Sequence, residues 1–209
     1  MRGPLSTFRV RGSALHLVTL LLVFASFQLA AASTNENVSL ETVRLTIEDL
    51  ERGLVLRDGW RFRAGDDPVW ADPSYDDRSW SRVDSRGGRF GPDWQGIGWL
   101  RRRLVVDPAF PETVVGLRVR QAGASELYLD GHLVAKLGQV SADPRREQAW
   151  DPEFPVAVAL EPGGEHLLAV RFSLAHEHEI AGGLRGLEVT LGRLDRMLKK
   201  ATRGLRNLV

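Results

Sequence analysis

Short apolar segments in which alternate residues are hydrophobic, separated by turn residues, run through most of this sequence. Residues 114–120 and residues 187–191 are clear examples. A period of two predicts β-strands with one buried face. Asp130 and Gly131 stand between two such segments and predict a tight hairpin. About eight to ten short strands with almost no helix predict an all-β fold, a β-sandwich or jelly roll.

Five of the six tryptophans lie within residues 60–106. Tryptophan has a large apolar area and one N–H that needs a partner, so such a group favours a core wrapped by turns. We expect Trp80 and Trp99 to fill the space between two sheets. The aspartates of residues 66–77 lack the spacing of a calcium-binding EF-hand, and we interpret them as turn caps. The mixed pattern at residues 99–106 predicts a bulge or a half-exposed face.

The first 32 residues have the pattern of a secretory signal peptide. Basic residues precede the mostly apolar residues 15–29, and three alanines offer a cleavage site. An uncleaved anchor helix is the alternative. We therefore predict an exported protein, periplasmic or extracellular, with a linker at residues 33–42 and a β-sandwich domain at residues 43–192. The chain has no cysteine, which excludes thiol catalysis and zinc–thiolate sites.

Residues 193–209 predict a basic amphipathic helix. Leucines and an alanine recur every three or four residues, with basic residues on the opposite arc. Such a helix can lie on an anionic membrane, dock on a partner protein, or pack against its own sandwich. We expect membrane or partner contact through Arg196, Lys199, Lys200 and Arg203. Residues 33–192, by contrast, hold 19 basic and 26 acidic side chains, which argues against general nucleic-acid binding.

Four segments in order resemble the galactose-binding-like jelly roll found at the start of glycoside hydrolase family 2 enzymes. They are residues 70–80, 98–101, 126–131 and 164–171. The resemblance implies a jelly-roll fold and a carbohydrate or other small-molecule ligand. In those enzymes the jelly roll is an accessory domain, and catalysis belongs to a separate barrel.

Two further segments, residues 60–70 and 120–131, resemble the extracytoplasmic sensor domains of bacterial membrane signalling proteins. There an exported jelly roll precedes seven transmembrane helices and a kinase, cyclase or phosphatase. The resemblance implies a role in signal transduction. This sequence contains neither the transmembrane bundle nor the effector, so we expect a fragment of such a receptor or a stand-alone relative.

Three residues are candidate ligand contacts. Trp94 and Trp150 lie on polar loops, where an aromatic ring can stack on a sugar; the alternative is that each ring folds back over the core. Arg101, within a run of three arginines, can bind an anionic group; the alternative is a solvated sheet face paired with acidic residues. His176 and His178 lack an evident third ligand nearby, so we predict no metal and no cofactor.

No catalytic motif is recognisable. The acidic residues form no pair set apart by sequence, and neither a Gly-x-Ser-x-Gly elbow nor a phosphate-binding loop is present. The sequence predicts an exported, non-catalytic ligand-binding sensor domain of a membrane signalling protein. An accessory carbohydrate-binding module of a glycosidase and an exported protein-binding adaptor are the alternatives.

Overall fold

The computed structural model describes residues 42–88, 90–175 and 180–206. The predicted signal peptide and nearly all of the predicted linker lie outside these residues, and so do His176 and His178. None of the helices described is long and apolar enough to cross a membrane.

Eleven strands and two α-helices are described. The strands are β1 (Thr42–Leu45), β2 (Leu54–Leu56), β3 (Trp60–Ala64), β4 (Ser81–Val83), β5 (Ile97–Val106), β6 (Val114–Gln121), β7 (Ala124–Leu129), β8 (His132–Leu137), β9 (Val156–Ala159), β10 (Glu165–Ser173) and β11 (Leu187–Arg193). The helices are α1 (Ile47–Arg52) and α2 (Leu194–Arg206), and two short 3-10 turns occupy Pro68–Ala71 and Ser85–Gly87.

The strands form two sheets, which confirms the predicted all-β sandwich. One sheet has seven strands in the order β4-β3-β5-β10-β7-β8, with β1 also paired to β5; the other has the order β2-β11-β6-β9. Every pairing is antiparallel except that of β1 with β5. Because β5 is ten residues long, one of its edges can pair first with β3 and then with β1.

The main core lies between the two sheets. Leu100 and Val170 of the large sheet belong to the same buried cluster as Leu117 and Val189 of the small sheet. Burying side chains of this size contributes roughly 1.5–3 kcal/mol each. Of the two alternatives predicted for residues 99–106, the bulge is wrong, because β5 pairs with β10 in an unbroken register from Ile97 to Val105. The outer face of β5 is partly exposed at Arg103 and Val105.

Trp80 and Trp99 do not lie between the sheets, which corrects the expectation from sequence. Successive side chains of a strand point to opposite faces, so Leu100 enters the main core and Trp99 faces outward. There Trp99 joins a second buried cluster with Trp70 and Trp80. The Trp70 and Trp80 rings meet edge to face at 5.3 Å. The outer face of the large sheet therefore has its own apolar layer, covered by residues 66–80.

The prediction of turn caps is correct for three of the five aspartates of residues 66–77, whereas the side chains of Asp66 and Asp77 form ion pairs with Arg171 and Arg101. The carboxylates of Asp67, Asp72 and Asp76 each accept a hydrogen bond from the backbone N–H two residues later, at 2.8–3.1 Å. The hairpin of β7 and β8 turns at Asp130 and Gly131, whose φ angles are 50° and 82°. Both values are left-handed, as a tight hairpin turn requires.

Both helices pack against the outer side of the small sheet. The Thr46 side chain caps α1 by accepting from the N–H of Asp49. Helix α2 directly follows β11, and Met197 lies over Gly116 and Gly192 of that sheet. A Cβ at Gly116 or Gly192 would lie within 3 Å of the Met197 side chain, so the absence of side chains at these positions lets the first turn of α2 pack closely.

Candidate functional site

A cleft of about 860 Å³ opens beside the edge strands of the large sheet. Strand β4 pairs with β3 only from Trp60 to Phe62, so the end of β3 extends beyond its neighbour. Gly87 and residues 90–93 form another wall of the cleft. The lining combines buried aromatic rings with exposed polar groups: Phe62, Trp80, Phe90, Arg63, Ser79, Ser81, Arg82, Asp84 and Asp93.

The aromatic floor of the cleft belongs to the main core. The rings of Phe62 and Phe90 stack with their centroids 5.1 Å apart, and Phe90 meets Phe172 edge to face at 5.7 Å. Phe62 and Phe90 are both buried. A floor fixed in this way does not have to rearrange when a ligand enters, which lowers the entropic cost of binding.

The start of this wall is held by close backbone contacts at residues 84–88. The Asp84 side chain accepts from the N–H of Arg86 at 2.8 Å and caps the 3-10 turn that begins the wall. Gly88 has a φ of 66°, and a side chain there would lie 2.5 Å from the carbonyl oxygen of Arg185. These constraints fix the polar rim relative to the aromatic floor.

The chemistry of the cleft suits a small, polar, uncharged or weakly charged ligand. Two hydroxyls, two carboxylates and two guanidiniums supply both donors and acceptors. Arg63 is oriented by two contacts: its Nη1 donates to the Tyr75 hydroxyl at 3.0 Å, and its guanidinium lies 5.0 Å from the centre of the Trp70 ring. Convergent polar groups over an apolar floor are the usual composition of a small-molecule site.

Trp94 follows the wall of the cleft but folds back over the core. Its ring centroid lies 4.7 Å from that of Phe90, 5.9 Å from that of Phe62 and 6.3 Å from that of Phe172. The side chain is half-buried. Its aromatic contacts are therefore with the protein, which is the alternative that the sequence left open.

Trp150 remains exposed, with 52% of its surface accessible. Its backbone is anchored, because its N–H donates to the carbonyl of Gly123 at 3.1 Å and its carbonyl accepts from Nε2 of Gln121 at 2.8 Å. It is not among the residues that line the cleft. The ring is available for contact at a position separate from that lining.

Arg101 is not available to a ligand, which corrects the prediction of a ligand contact there. Its side chain is fully buried and forms an ion pair with Asp77 at 2.8 Å. Its remaining N–H groups donate to the carbonyls of Trp70, Asp72 and Tyr75. Burial lowers the pKa of the guanidinium, while Asp77 acts in the opposite direction. Arg101 thus fastens residues 70–77 to β5.

The four predicted contact residues of the tail all lie on α2 and are exposed. Arg196 forms an ion pair with Glu51, and Lys199 lies 4.0 Å from Asp195. Lys200 and Arg203 face no carboxylate within the described part of the chain. Lys200 also lines a groove between the helix and the small sheet.

A charged network that sequence reasoning missed lies on the outer face of the large sheet. Arg171 donates to both oxygens of Asp66 at 2.6 Å and to Glu126 at 3.1 Å. Glu126 also contacts Lys136 and the Tyr128 hydroxyl. The alternation of β7 places Glu126 and Tyr128 on one face, but only the pairing of β7 with β10 brings Arg171 beside them.

This network keeps its carboxylates ionised. The hydrogen bonds from Arg171 lower the pKa of the Asp66 carboxyl. Burial raises the pKa of Glu126, but hydrogen bonds from Lys136 and Arg171 outweigh that effect and the net pKa is lowered. Burial and the contact with Glu126 raise the pKa of Tyr128 to about 12. Carboxylates held ionised are poor general acids, so the network is suited to structure rather than proton transfer.

No protein-family model and no curated protein matches this sequence. Among solved structures, the chain is similar to a glycosyl hydrolase family 2 member from Bacteroides cellulosilyticus DSM 14838, with a TM-score of 0.47, 16% identity and coverage of 68% of this chain and 21% of that one. It is similar to Bacteroides uniformis beta-glucuronidase with a TM-score of 0.41, 18% identity and coverage of 66% and 18%.

A third solved structure, Bifidobacterium dentium beta-glucuronidase complexed with coumarin-3-O-glucuronide, has a TM-score of 0.42 and 15% identity to this chain. The match covers 67% of this chain and 30% of that one. This chain therefore spans less than a third of the length of each of these three proteins.

Proposed function

We propose that this chain is a non-catalytic ligand-binding domain of the galactose-binding-like jelly-roll type, and that it binds a carbohydrate-like molecule in the cleft beside β3 and β4. We further propose that it acts outside the cytoplasm as the sensor part of a membrane signalling protein. The observation that supports the binding role is the cleft itself. Its volume of about 860 Å³ lies within the range of small-molecule sites.

The composition of the cleft favours a carbohydrate over a purely apolar ligand. A sugar ring has one face of C–H groups, which packs on aromatic carbon, and a rim of hydroxyls that both donate and accept hydrogen bonds. Exposed Pro92, together with the small accessible part of the buried Phe62 and Phe90 rings, suits the apolar face. Arg82 and Asp93, both exposed at the rim, suit the hydroxyls.

The test is a glycan array with the intact chain, followed by calorimetric titration with the glycan that binds best. We expect Arg82→Ala and Asp93→Ala each to weaken binding by about tenfold, because each loses a hydrogen bond to a charged group. Glu112→Ala, an exposed change outside the cleft, is the control and should bind like the parent chain. No binding to any glycan would overturn the carbohydrate version of the proposal.

Alanine variants at Trp94 and Trp150 are expected to have opposite effects on binding and on stability. We propose Trp150 as a further ligand contact, so Trp150→Ala should weaken glycan binding and leave the melting temperature nearly unchanged, since about half of the residue's surface is exposed. Trp94→Ala should lower the melting temperature, because its ring packs on Phe90 and Phe62. Unchanged glycan affinity in Trp150→Ala would show that this residue, which lies outside the cleft, is not a ligand contact.

The exposed basic side of α2 favours a second proposal, contact with an anionic membrane surface. Lys199 and Arg203 are both exposed, and cationic side chains on an amphipathic helix are attracted to anionic lipid. Flotation with vesicles of phosphatidylcholine and phosphatidylglycerol should show weaker binding when both residues are changed to Gln. Equal flotation of the variant and the parent would argue against a membrane helix and for contact with a protein partner.

The genetic context separates the sensor proposal from its alternative. Seven transmembrane helices encoded together with this domain would support a receptor, whereas a catalytic barrel of about 250 residues would support an accessory module of a glycosidase.

A further inference from the structure

A second concave surface lies between α1, α2 and the outer face of the small sheet, the face that points away from the main core. This groove has a volume of about 460 Å³. Val55, Pro155 and Met197 give it an apolar part. The groove is separate from the cleft beside β3 and β4, with which it shares no lining residue.

The charge of the groove is strongly positive. Six basic and two acidic side chains line it: Arg52, Arg118, Arg120, Arg193, Arg196, Lys200, Glu51 and Glu188. Both acidic residues already have partners. Glu51 pairs with Arg193 at 3.1 Å and with Arg196, and Glu188 pairs with Arg86 at 3.2 Å. Four of the basic residues are also paired with carboxylates: Arg52, Arg120, Arg193 and Arg196. The unbalanced positive charge of the groove therefore lies on the remaining two, Arg118 and Lys200.

Two of these cations have no carboxylate partner. Neither Arg118 nor Lys200 forms an ion pair within residues 42–88, 90–175 and 180–206. Arg118 is partly buried on β6, opposite Thr190 of β11, and Arg120 follows on the same face about 7 Å along the strand. A guanidinium that has lost part of its water without gaining a carboxylate is poised to gain from an anionic ligand.

The geometry of the strands explains why this positive charge persists. Side chains alternate along β6, and Leu117 and Val119 point into the main core. Arg118 and Arg120 therefore both point outward. The cross-strand partners of these arginines are Thr190 and Glu188, and the latter is taken by Arg86. Arg120 is compensated from outside the sheet by Asp151, 3.9 Å away, whereas Arg118 has no such partner among the described residues.

We propose that this groove binds a phosphate group attached to a partly apolar molecule, with Arg118 and Lys200 as its principal contacts. The planar guanidinium of Arg118 matches two phosphate oxygens, and Lys200 supplies the second positive charge that a phosphate monoester attracts. The hydroxyl of Thr190 lines the same groove and can donate to a third oxygen. Val55 and Met197 accommodate the apolar part of the ligand.

The same chemistry fits a soluble phosphate ester and the headgroup of an anionic lipid. Two probes distinguish these sources: inorganic phosphate in solution, and vesicles of phosphatidylcholine with or without phosphatidic acid. The variant Arg118→Gln with Lys200→Gln removes both principal contacts. A charge-matched control, Arg145→Gln with Arg146→Gln, changes two exposed residues outside the groove.

For the parent chain we expect inorganic phosphate to raise the melting temperature and to give a saturable titration, while chloride at equal ionic strength does neither. The groove variant should weaken phosphate or phosphatidic acid binding by about tenfold or more, and the control variant should bind like the parent. Because Arg118 and Lys200 make no ion pair with described residues, the groove variant should keep the melting temperature of the ligand-free chain, which checks its folding.

Binding to vesicles without a response to inorganic phosphate identifies a lipid headgroup as the source, and a response to inorganic phosphate without vesicle binding identifies a soluble ester. The proposal is overturned if the parent chain responds to neither probe. It is also overturned if the groove variant binds as well as the parent, or if the control variant loses binding to the same extent. These outcomes do not depend on the cleft. Absence of glycan binding in the cleft and absence of phosphate binding in the groove are therefore separate results.

Discussion

The Nε of Arg101 lies 2.8 Å from Oδ2 of Asp77, and both side chains are buried on the outer face of the large sheet. Through this pair, and through three carbonyls of residues 70–75, Arg101 ties the covering segment to β5. The same segment closes over Trp70, Trp80 and Trp99. The ion pair and the tryptophan cluster are therefore parts of one structural unit.

Asp77→Ala should strongly destabilise the fold. Removing one partner leaves the Arg101 charge buried without compensation, which costs about 3–5 kcal/mol in the free energy of unfolding. Urea unfolding followed by tryptophan fluorescence measures this loss and also reports on the neighbouring rings. Arg78→Ala, which breaks the exposed pair with Asp76, is the control and should leave unfolding unchanged. Similar midpoints for Asp77→Ala and the parent would contradict the structural role of the pair.

Replacing Arg171 should change how stability depends on pH. Asp66 and Glu126 have lowered pKa values in the folded protein, so the unfolded chain binds more protons in acid. The stability that they provide is present above about pH 5 and is lost as the pH falls through their folded pKa values. Compared with the parent chain, Arg171→Leu should therefore have a much lower free energy of unfolding at pH 7 and only a slightly lower one at pH 3. Urea unfolding across this range tests the trend, with Arg44→Leu at an exposed ion pair as the control.

Gly123→Ala should destabilise the end of the sandwich near Trp150. A Cβ at position 123 would lie 1.9 Å from the carbonyl oxygen of Ser173, and this oxygen belongs to the backbone of β10. Because a strand backbone cannot rotate away as a side chain can, a loss of several kcal/mol is expected. Gly87→Ala, where nothing lies within 4 Å of the added carbon, is the matched comparison. Equal melting temperatures for the two variants would show that the close approach is not essential.

Gly116→Val should release helix α2 from the small sheet. The added carbon would lie 2.8 Å from Sδ of Met197 and 3.3 Å from Cα of Leu194, so both a side chain and the helix backbone must move. Limited proteolysis with trypsin should then cut within residues 193–206 faster than in the parent chain. Gly204→Ala, which has open space around it, should instead slow cleavage by favouring the helix by up to about 1 kcal/mol. Unchanged cleavage in Gly116→Val would mean that Met197 does not seat the helix.

Local sequence patterns were sufficient where the physical cause is local. The alternation around Val115, Leu117 and Val119 predicted a strand with that buried face, and Asp130 with Gly131 predicted the hairpin. The periodicity of the tail predicted a helix, which the structure places at Leu194–Arg206. The strand, the hairpin and the helix each depend on residues close together in the sequence, whose types set the local backbone conformation.

The positions of the candidate binding residues depended instead on contacts distant in sequence. Arg101 was expected to be exposed, because a run of three arginines is usually solvated, but Asp77 and three carbonyls provide it with buried partners. The alternation of residues 114–120 predicts one buried face but does not say what the side chains of the other face meet. Only the pairing of β6 with β11 shows that Arg118 lies opposite Thr190 rather than a carboxylate. The spacing of residues along the sequence does not indicate which groups Arg101 and Arg118 meet in the fold.

The sequence by itself determined which residues are apolar, where the chain turns and how often, and therefore that it folds as two packed sheets. Only the tertiary structure decided that Trp99 lies on the outer face of the large sheet and which charged side chains have no ion-pair partner among the described residues. The reason is physical: strand formation depends on local periodicity, whereas the partner of a charged side chain depends on which strands become neighbours. The cleft beside Phe62 and the groove beneath Lys200 both arise from such pairings.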